Sequence, residues 1–95
     1  MKPQFLVHNK GDNLGVAVVD IKPGDKLTGA CLENGEQFEI EAKDGIPLGH
    51  KVALKVLKKG DNVIKYGVSI GTATQSIVVG NHVHVHNLKV INRCK

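Results

Sequence analysis

A seven-residue pattern recurs along this chain and limits the structures that it can form. An apolar residue is followed by Gly three positions later, then by Asp or Asn, and two positions further on by another apolar residue. Complete copies span residues 21–27, 57–63 and 77–83, and a partial copy spans residues 11–14. Gly tolerates the positive φ of tight turns and Asp or Asn bonds the local backbone, so each copy predicts a turn into a strand. The uneven spacing of the copies argues against a regular solenoid.

The segments between these turns read as β-strands. Residues 14–19 are apolar and β-branched, which predicts a buried strand, and residues 37–42 alternate between apolar and polar types. Another strand is predicted over residues 26–32, and the Asn34-Gly35 pair between it and residues 37–42 predicts a type I′ hairpin turn. Residues 43–51 interrupt the pattern with two glycines and a proline. Because no stretch has the periodicity of an ordinary amphipathic helix, we predict an all-β fold of many short strands with at most one short helical turn.

Length and charge set further limits. The 95 residues favour one small domain spanning residues 1–95, whose core must come from aliphatic side chains because Trp is absent and aromatic residues make up 3%. The formal charge is +4, but the lysines are scattered and the chain holds no basic stripe. We therefore expect no nucleic-acid binding.

The cysteines and the hydropathy indicate a cellular setting. Cys31 and Cys94 form no CxxC pair and are too few for a disulfide-dense secreted scaffold. We find no signal-like segment and no apolar stretch long enough to cross a bilayer. We therefore expect a cytoplasmic protein without membrane association, in which both cysteines are small buried or terminal thiols.

The most chemically distinctive stretch is residues 80–87, GNHVHVHN, in which every second residue from 82 to 86 is histidine. On a β-strand these imidazoles would share one face while the two intervening valines would be buried on the other. The histidines are His82, His84 and His86, and the valines are Val83 and Val85. The alternation fails after Asn87, which predicts a β-bulge or a turn near that residue.

Two of these imidazoles could share one metal ion. Same-face neighbours on a strand are roughly 6.5–7 Å apart, whereas the outer pair would be roughly 13 Å apart, so a straight strand cannot supply three ligands. We predict His82 and His84 as metal ligands, with His50 from the 43–51 loop as the candidate third ligand. The alternative is a polar strand face whose imidazoles contact solvent or a partner chain.

Two other short segments carry chemical groups. His50 could act as an acid or a base near neutral pH and Lys51 could pair with a carboxylate, or both could simply face solvent in a loop. Tyr66 could present its hydroxyl to a ligand, or its ring could be half-buried in the domain with only the hydroxyl in contact with solvent. We find no hydrolase elbow, P-loop or zinc-protease motif.

Four segments together resemble one known domain. They are VHNKGDNLGVAVVDIKPGD (residues 7–25), IPLGHKVAL (46–54), VIKYGVSIGTATQSI (63–77) and GNHVHVHN (80–87). In this order the combination resembles the SAF domain of the altronate and galactarate dehydratase family, and it covers nearly the whole chain. The resemblance implies a β-clip fold for this SAF-like domain.

The resemblance also implies a function. In that family the SAF domain usually precedes a large catalytic domain, and the protein eliminates water from a sugar acid. A chain of this size is similar to the small, alpha-type subunit of the family's two-component lyases, which pairs with a separate large subunit and is not active alone. It implies an acidic hydroxy-acid substrate, water or sulfite as the leaving group, and a divalent metal, often iron, held mainly by the partner subunit.

The matching positions carry over as candidate site residues. We predict catalytic roles for His50, His84 and His86. We predict substrate binding by Lys51, Lys65, Tyr66 and Asn87. Our hypothesis is that the histidine face and the His50 loop meet at the mouth of the partner's active site. Two alternatives remain open, a stand-alone metal-binding β-module and a carbohydrate-binding module, as do self-association of the chain, the identity of the acid and the leaving group.

Overall fold

The computed structural model describes residues 3–90, which form an all-β domain. The nine strands are β1 (Phe5–Val7), β2 (Leu14–Ala17), β3 (Lys26–Cys31), β4 (Gln37–Glu41), β5 (Lys51–Ala53), β6 (Asn62–Lys65), β7 (Val68–Ala73), β8 (His82–Val83) and β9 (Leu88–Val90). No helix occurs in residues 3–90, so none there could span a membrane. The prediction of an all-β domain of short strands is confirmed.

The strands form two sheets, and their buried side chains form two hydrophobic clusters, one within the larger sheet and one that joins β2, β5 and β8 to the smaller sheet. The larger sheet has the order β4-β3-β1-β2-β5-β8, and the smaller has the order β6-β7-β9. All pairs are antiparallel except β1 and β3. Phe5 is fully buried in the larger cluster, and its ring lies so close to Gly29 that a Cβ there would be 2.1 Å from it. Gly29 therefore makes room for the main aromatic side chain of the core.

The recurring pattern forms the predicted turns. Gly24, Gly60 and Gly80 have φ of 87°, 92° and 93°. The next residue in each copy accepts a hydrogen bond from the backbone N–H three positions earlier, at 2.8–3.0 Å. The partial copy repeats the arrangement, because Asp12 Oδ2 accepts from the N–H of Asn9 at 3.1 Å. The pattern therefore encodes one type of turn, used repeatedly.

A further copy of the turn spans residues 46–52, with His50 in place of the Asp or Asn, and was not recognised in the sequence. This copy and the three complete ones associate in pairs. The turn glycine of each copy donates its N–H to the carbonyl of a buried alanine that precedes the paired copy, at 2.7–2.9 Å. These bonds run from Gly24 to Ala42, from Gly49 to Ala17, from Gly60 to Ala73 and from Gly80 to Ala53. Residues 43–51 are thus part of the regular architecture, and interpreting them as an interruption was wrong.

Two local predictions need correction. The strand predicted over residues 14–19 ends at Ala17, and Val18 and Val19 are exposed. In the hairpin after β3 only Gly35 has a positive φ, of 75°, whereas a type I′ turn needs two such residues. Cys31 is a buried free thiol, as expected. Cys94 lies outside the described residues.

Candidate functional site

The histidine stretch changes from strand to turn halfway along its length. Strand β8 ends at Val83, and a turn follows in which the N–H groups of Asn87 and Leu88 donate to the carbonyl of His84 at 3.1 and 2.9 Å. The predicted turn near Asn87 is confirmed, but the strand does not continue to His86. Val83 is fully buried, whereas Val85 is 77% exposed because it lies in the turn, so its predicted burial was wrong.

The side chain of Asn87 stabilises this turn. Its Oδ1 accepts a hydrogen bond from the N–H of His84 at 3.0 Å, and its Nδ2 donates to the carbonyl of His82 at 2.9 Å. Asn87 is 5% exposed, so its amide is committed to the backbone on both sides. The structure thus shows how Asn87 shapes the site, while substrate contact by this residue stays a prediction.

The turn gathers four imidazoles into one cluster, which we call the histidine cluster: His50, His82, His84 and His86. The ring centroid of His82 lies 5.7 Å from that of His84 and 5.3 Å from that of His86. The His50 ring lies 5.0 Å from His82 and 4.6 Å from His84. The roughly 13 Å separation expected for a straight strand does not apply, because the turn folds His86 back.

The missed copy of the turn pattern explains how His50 reaches the cluster. In the other copies the residue after the turn glycine must cap a backbone N–H three positions earlier. At the equivalent position this copy has Pro47, which has no N–H to cap. Position 50 is therefore free to hold a histidine, whose own N–H donates to the Pro47 carbonyl at 2.9 Å. A pattern that also allows His after the glycine includes this copy.

The surroundings of His82 favour a neutral imidazole. Nδ1 of His50 and Nε2 of His82 are 2.9 Å apart, so one ring donates to the other and the two cannot both be fully protonated. Burial lowers the pKa of His82, and the positive charges that its three histidine neighbours would carry lower it further, while Asp44 opposes the shift. The Asp44 carboxylate accepts from the His82 N–H at 2.9 Å. A neutral His82 can act as a base or as a metal ligand.

The donor set also fits a transition metal. Ring nitrogens of His50, His82 and His84 all lie within 4.8 Å of one another. Two nitrogens bound to one ion at about 2.1 Å can be at most about 4.2 Å apart, so modest ring rotations would bring the three together. Imidazole suits zinc, iron, copper and nickel. Metal binding by His82 and His84, with His50 as the third ligand, stays a prediction, and the three rings are close enough for it.

The other predicted site residues have different surroundings. Lys51 is half-buried on β5, opposite Val83 of β8. Lys65 is fully buried, and Tyr66 is 54% exposed in the left-handed region with a φ of 57°. The partners of Lys65 were not predicted from the sequence. Asp12 could have been found, because it belongs to the partial copy of the turn pattern.

Comparison with known proteins places this architecture in a family. The sequence profile of the altronate/galactarate dehydratase SAF domain matches residues 3–91. The chain belongs to this family. The resemblance found in the sequence is confirmed, and the curled all-β domain is the fold expected of a SAF domain.

Relatives of this SAF domain differ in how much of their own length they share with it. The (2R)-sulfolactate sulfo-lyase subunit alpha of Chromohalobacter salexigens is 46% identical over 94% of this chain and 96% of its own. The subunit of that name from Paracoccus pantotrophus is 54% identical over 59% of this chain and 84% of its own. The altronate dehydratase of Bacillus subtilis is 42% identical over 90% of this chain but only 16% of its own.

Proposed function

We propose that this chain is the small, alpha-type subunit of a two-component lyase that eliminates water or sulfite from a hydroxy acid. The near full-length match to a sulfolactate sulfo-lyase subunit alpha carries this proposal. The altronate dehydratases match over the same region but extend far beyond it. A chain that corresponds to a whole subunit of one lyase and to one domain of another would act with a separate large catalytic subunit, in the cytoplasm and on an acidic small molecule.

The histidine cluster is the part of this subunit that would meet the partner's active site. His84 and His86 are exposed, whereas His50 and His82 lie half-buried behind them and hydrogen-bond to each other. A proton accepted by an outer imidazole has neighbouring rings at 4.6–5.7 Å, so the cluster is suited to moving a proton during an elimination. A bound divalent ion would supply Lewis acid chemistry there.

The net positive charge of the chain suits an anionic substrate. Lys51 follows His50 directly and is half-buried, and its ammonium group would attract a carboxylate or sulfonate. Substrate contact by Lys51 and Tyr66 is part of the same proposal, and the fully buried Lys65 would act on the substrate through its neighbours.

The test uses the complex. The tagged full-length chain is purified with its native large partner, and sulfite release from sulfolactate and dehydration of sugar acids are assayed. We expect activity in the complex only, and a fall of 100-fold or more in the variants His84→Ala and His86→Ala, since general acid–base groups contribute about 10²–10⁴-fold. Lys59→Ala, in an exposed turn, is the control. A complex that stays fully active in both histidine variants would overturn the proposed role of the cluster.

A second candidate is a stand-alone metal-binding module, favoured by the three ring nitrogens within 4.8 Å. It predicts stoichiometric uptake of zinc or ferrous ion by the isolated chain at neutral pH, lost at acid pH as the imidazoles protonate. Calorimetry on the isolated chain, together with the activity assay, separates the two functions. Metal uptake without any lyase activity in a purified complex would favour the module.

A further inference from the structure

Lys65 is a fully buried lysine, and its ammonium group has two polar neighbours. Its Nζ lies 2.5 Å from Nδ1 of His8 and 3.8 Å from Oδ2 of Asp12, whose side chain is also fully buried. His8 and Asp12 lie in the segment between β1 and β2, and this segment meets Lys65 where β6 ends. Buried charges persist in proteins when they are paired and hydrogen-bonded, as they are here.

The carboxyl group of Asp12 is surrounded by backbone donors. Its two oxygens accept hydrogen bonds from the N–H groups of Asn9 and Tyr66 at 3.1 Å and of Gly67 at 3.0 Å. An ionised carboxylate accepts from several donors at once, and a buried one needs a cation. Burial lowers the pKa of Lys65 and the nearby charge of Lys51 adds to that shift, while Asp12 partly offsets it. The contact of Nζ with the Asp12 carboxylate at 3.8 Å favours the ammonium form of Lys65.

An ammonium ion beside His8 decides which nitrogen of that ring carries the proton. Lys65 can only donate, so Nδ1 of His8 must accept, and the single proton of the neutral ring is then on Nε2. The His8 ring is half-buried, with Nδ1 turned towards Lys65. Its Nε2–H, on the other side of the ring, is left as a hydrogen-bond donor that can meet a ligand.

Tyr66 is the second unusual feature of this cluster. It is the only residue other than glycine with a positive φ in residues 3–90, in a two-residue turn between β6 and β7 where Asn or Gly would be unstrained. Its ring packs on His8 with a centroid distance of 4.6 Å, Nζ of Lys65 lies 4.3 Å from it, and the residue is 54% exposed. The strained backbone thus presents a phenol beside the His8 imidazole.

We propose that His8 and Tyr66 form a carboxylate-binding pair and that Lys65 is a positioning residue that fixes the His8 tautomer. Two neutral donors, the imidazole Nε2–H and the phenol O–H, match the two oxygens of a carboxylate, and the buried ammonium behind them adds a favourable field. The identity of the ligand rests on the proposed function, because sulfolactate and altronate, named in the relatives, both carry a carboxylate.

The tautomer is tested by nitrogen NMR on the full-length chain labelled with ¹⁵N. We expect Nδ1 of His8 to resonate as an unprotonated imine nitrogen and Nε2 as a protonated nitrogen at neutral pH. In Lys65→Met this preference is lost, while the control Lys59→Met, in an exposed turn, keeps it. A proton on Nδ1 of His8 in the wild-type spectrum would overturn the positioning role, whether or not Lys65→Met folds.

Carboxylate binding is tested on the same chain with malonate as the probe and methanesulfonate as the comparison. We expect saturable shifts of the His8 and Tyr66 ring signals with malonate, and dissociation constants about tenfold weaker in His8→Gln and in Tyr66→Phe, as for loss of one hydrogen bond to a charged group. Unchanged His8 signals, or unchanged affinity in both variants, would refute the pair. Both experiments use the chain alone. A purified complex without lyase activity would therefore refute the proposed function without refuting carboxylate binding by His8 and Tyr66.

Discussion

Removal of the Asn87 amide tests whether one side chain builds the histidine turn. In Asn87→Ala the N–H of His84 and the carbonyl of His82 lose their partners at 3.0 and 2.9 Å. A buried polar group left without a partner costs about 1–3 kcal/mol, and water can reach the exposed His84 side of the turn. We therefore expect a loss of about 2–4 kcal/mol from a total stability of about 5–14 kcal/mol.

A loss of that size is easily measured. For a domain of this length it corresponds to a fall in Tm of about 10–30 °C, and urea denaturation gives the free energy directly. The matched control is Asn34→Ala, because Asn34 also accepts from a backbone N–H, that of Glu36 at 2.9 Å, but in an exposed loop. That variant should lose less than about 1 kcal/mol. Equal stability of the two variants would refute the idea that Asn87 holds the turn together.

Three further predictions concern the metal, the pH and the packing of the turns. Zinc should bind the full chain at neutral pH by calorimetry, and His50→Ala should weaken binding at least tenfold, since it removes one of three imidazole ligands. The lowered pKa of His82 means that the folded, metal-free chain binds fewer protons than the unfolded chain just below pH 6.5. Stability in urea should therefore rise with pH through that window and level off above it, and a flat profile would count against the shift. Gly80→Ala should destabilise far more than Gly11→Ala, although both have positive φ, because only at Gly80 would the Cβ meet a carbonyl, that of Glu41 at 2.1 Å. Similar melting temperatures for the two variants would contradict this.

The turns were predictable because their determinants are local. Gly24, Gly60 and Gly80 each precede an Asp or Asn whose side chain caps the backbone N–H three positions earlier. All the residues that determine each turn therefore lie within seven positions of the sequence. The histidine stretch was harder to interpret, because its alternation is what a strand would show. This stretch turns after Val83 because the side chain of Asn87 hydrogen-bonds the backbone N–H of His84, which a continuing strand would not allow.

The contacts between distant residues were beyond sequence reasoning. Lys65 meets His8 across 57 positions and His50 meets His82 across 32, and both contacts depend on how the strands pair. Family resemblance identified His50 and Lys65 as positions of interest, but it carried no information on their partners. Burial of Lys65 in particular could not be foreseen, because lysine is almost never fully buried unless it is paired.

The histidine cluster arises where copies of the turn depart from their common pattern. One copy has Asn81 where two others have Asp25 and Asp61, so its side chain both caps a backbone N–H through Oδ1 and donates through Nδ2 to Asp44 at 3.1 Å. That donor holds the Asp44 carboxylate where it also accepts from His82. The difference between Asn and Asp at this position therefore matters for the cluster and not for the turn.

Exchange of these residue types separates the two roles. Asn81→Asp should keep the turn, because Asp caps it equally well elsewhere, but it sets a second carboxylate beside Asp44 and His82. Two negative charges favour the protonated imidazole, so the pKa of His82 should rise in an NMR titration. The reverse exchange, Asp61→Asn, alters the same position of another copy and should leave that pKa where it was. If both variants titrate like the wild type, Asp44 and Asn81 do not set the charge of the cluster, and the departures from the pattern have only structural consequences.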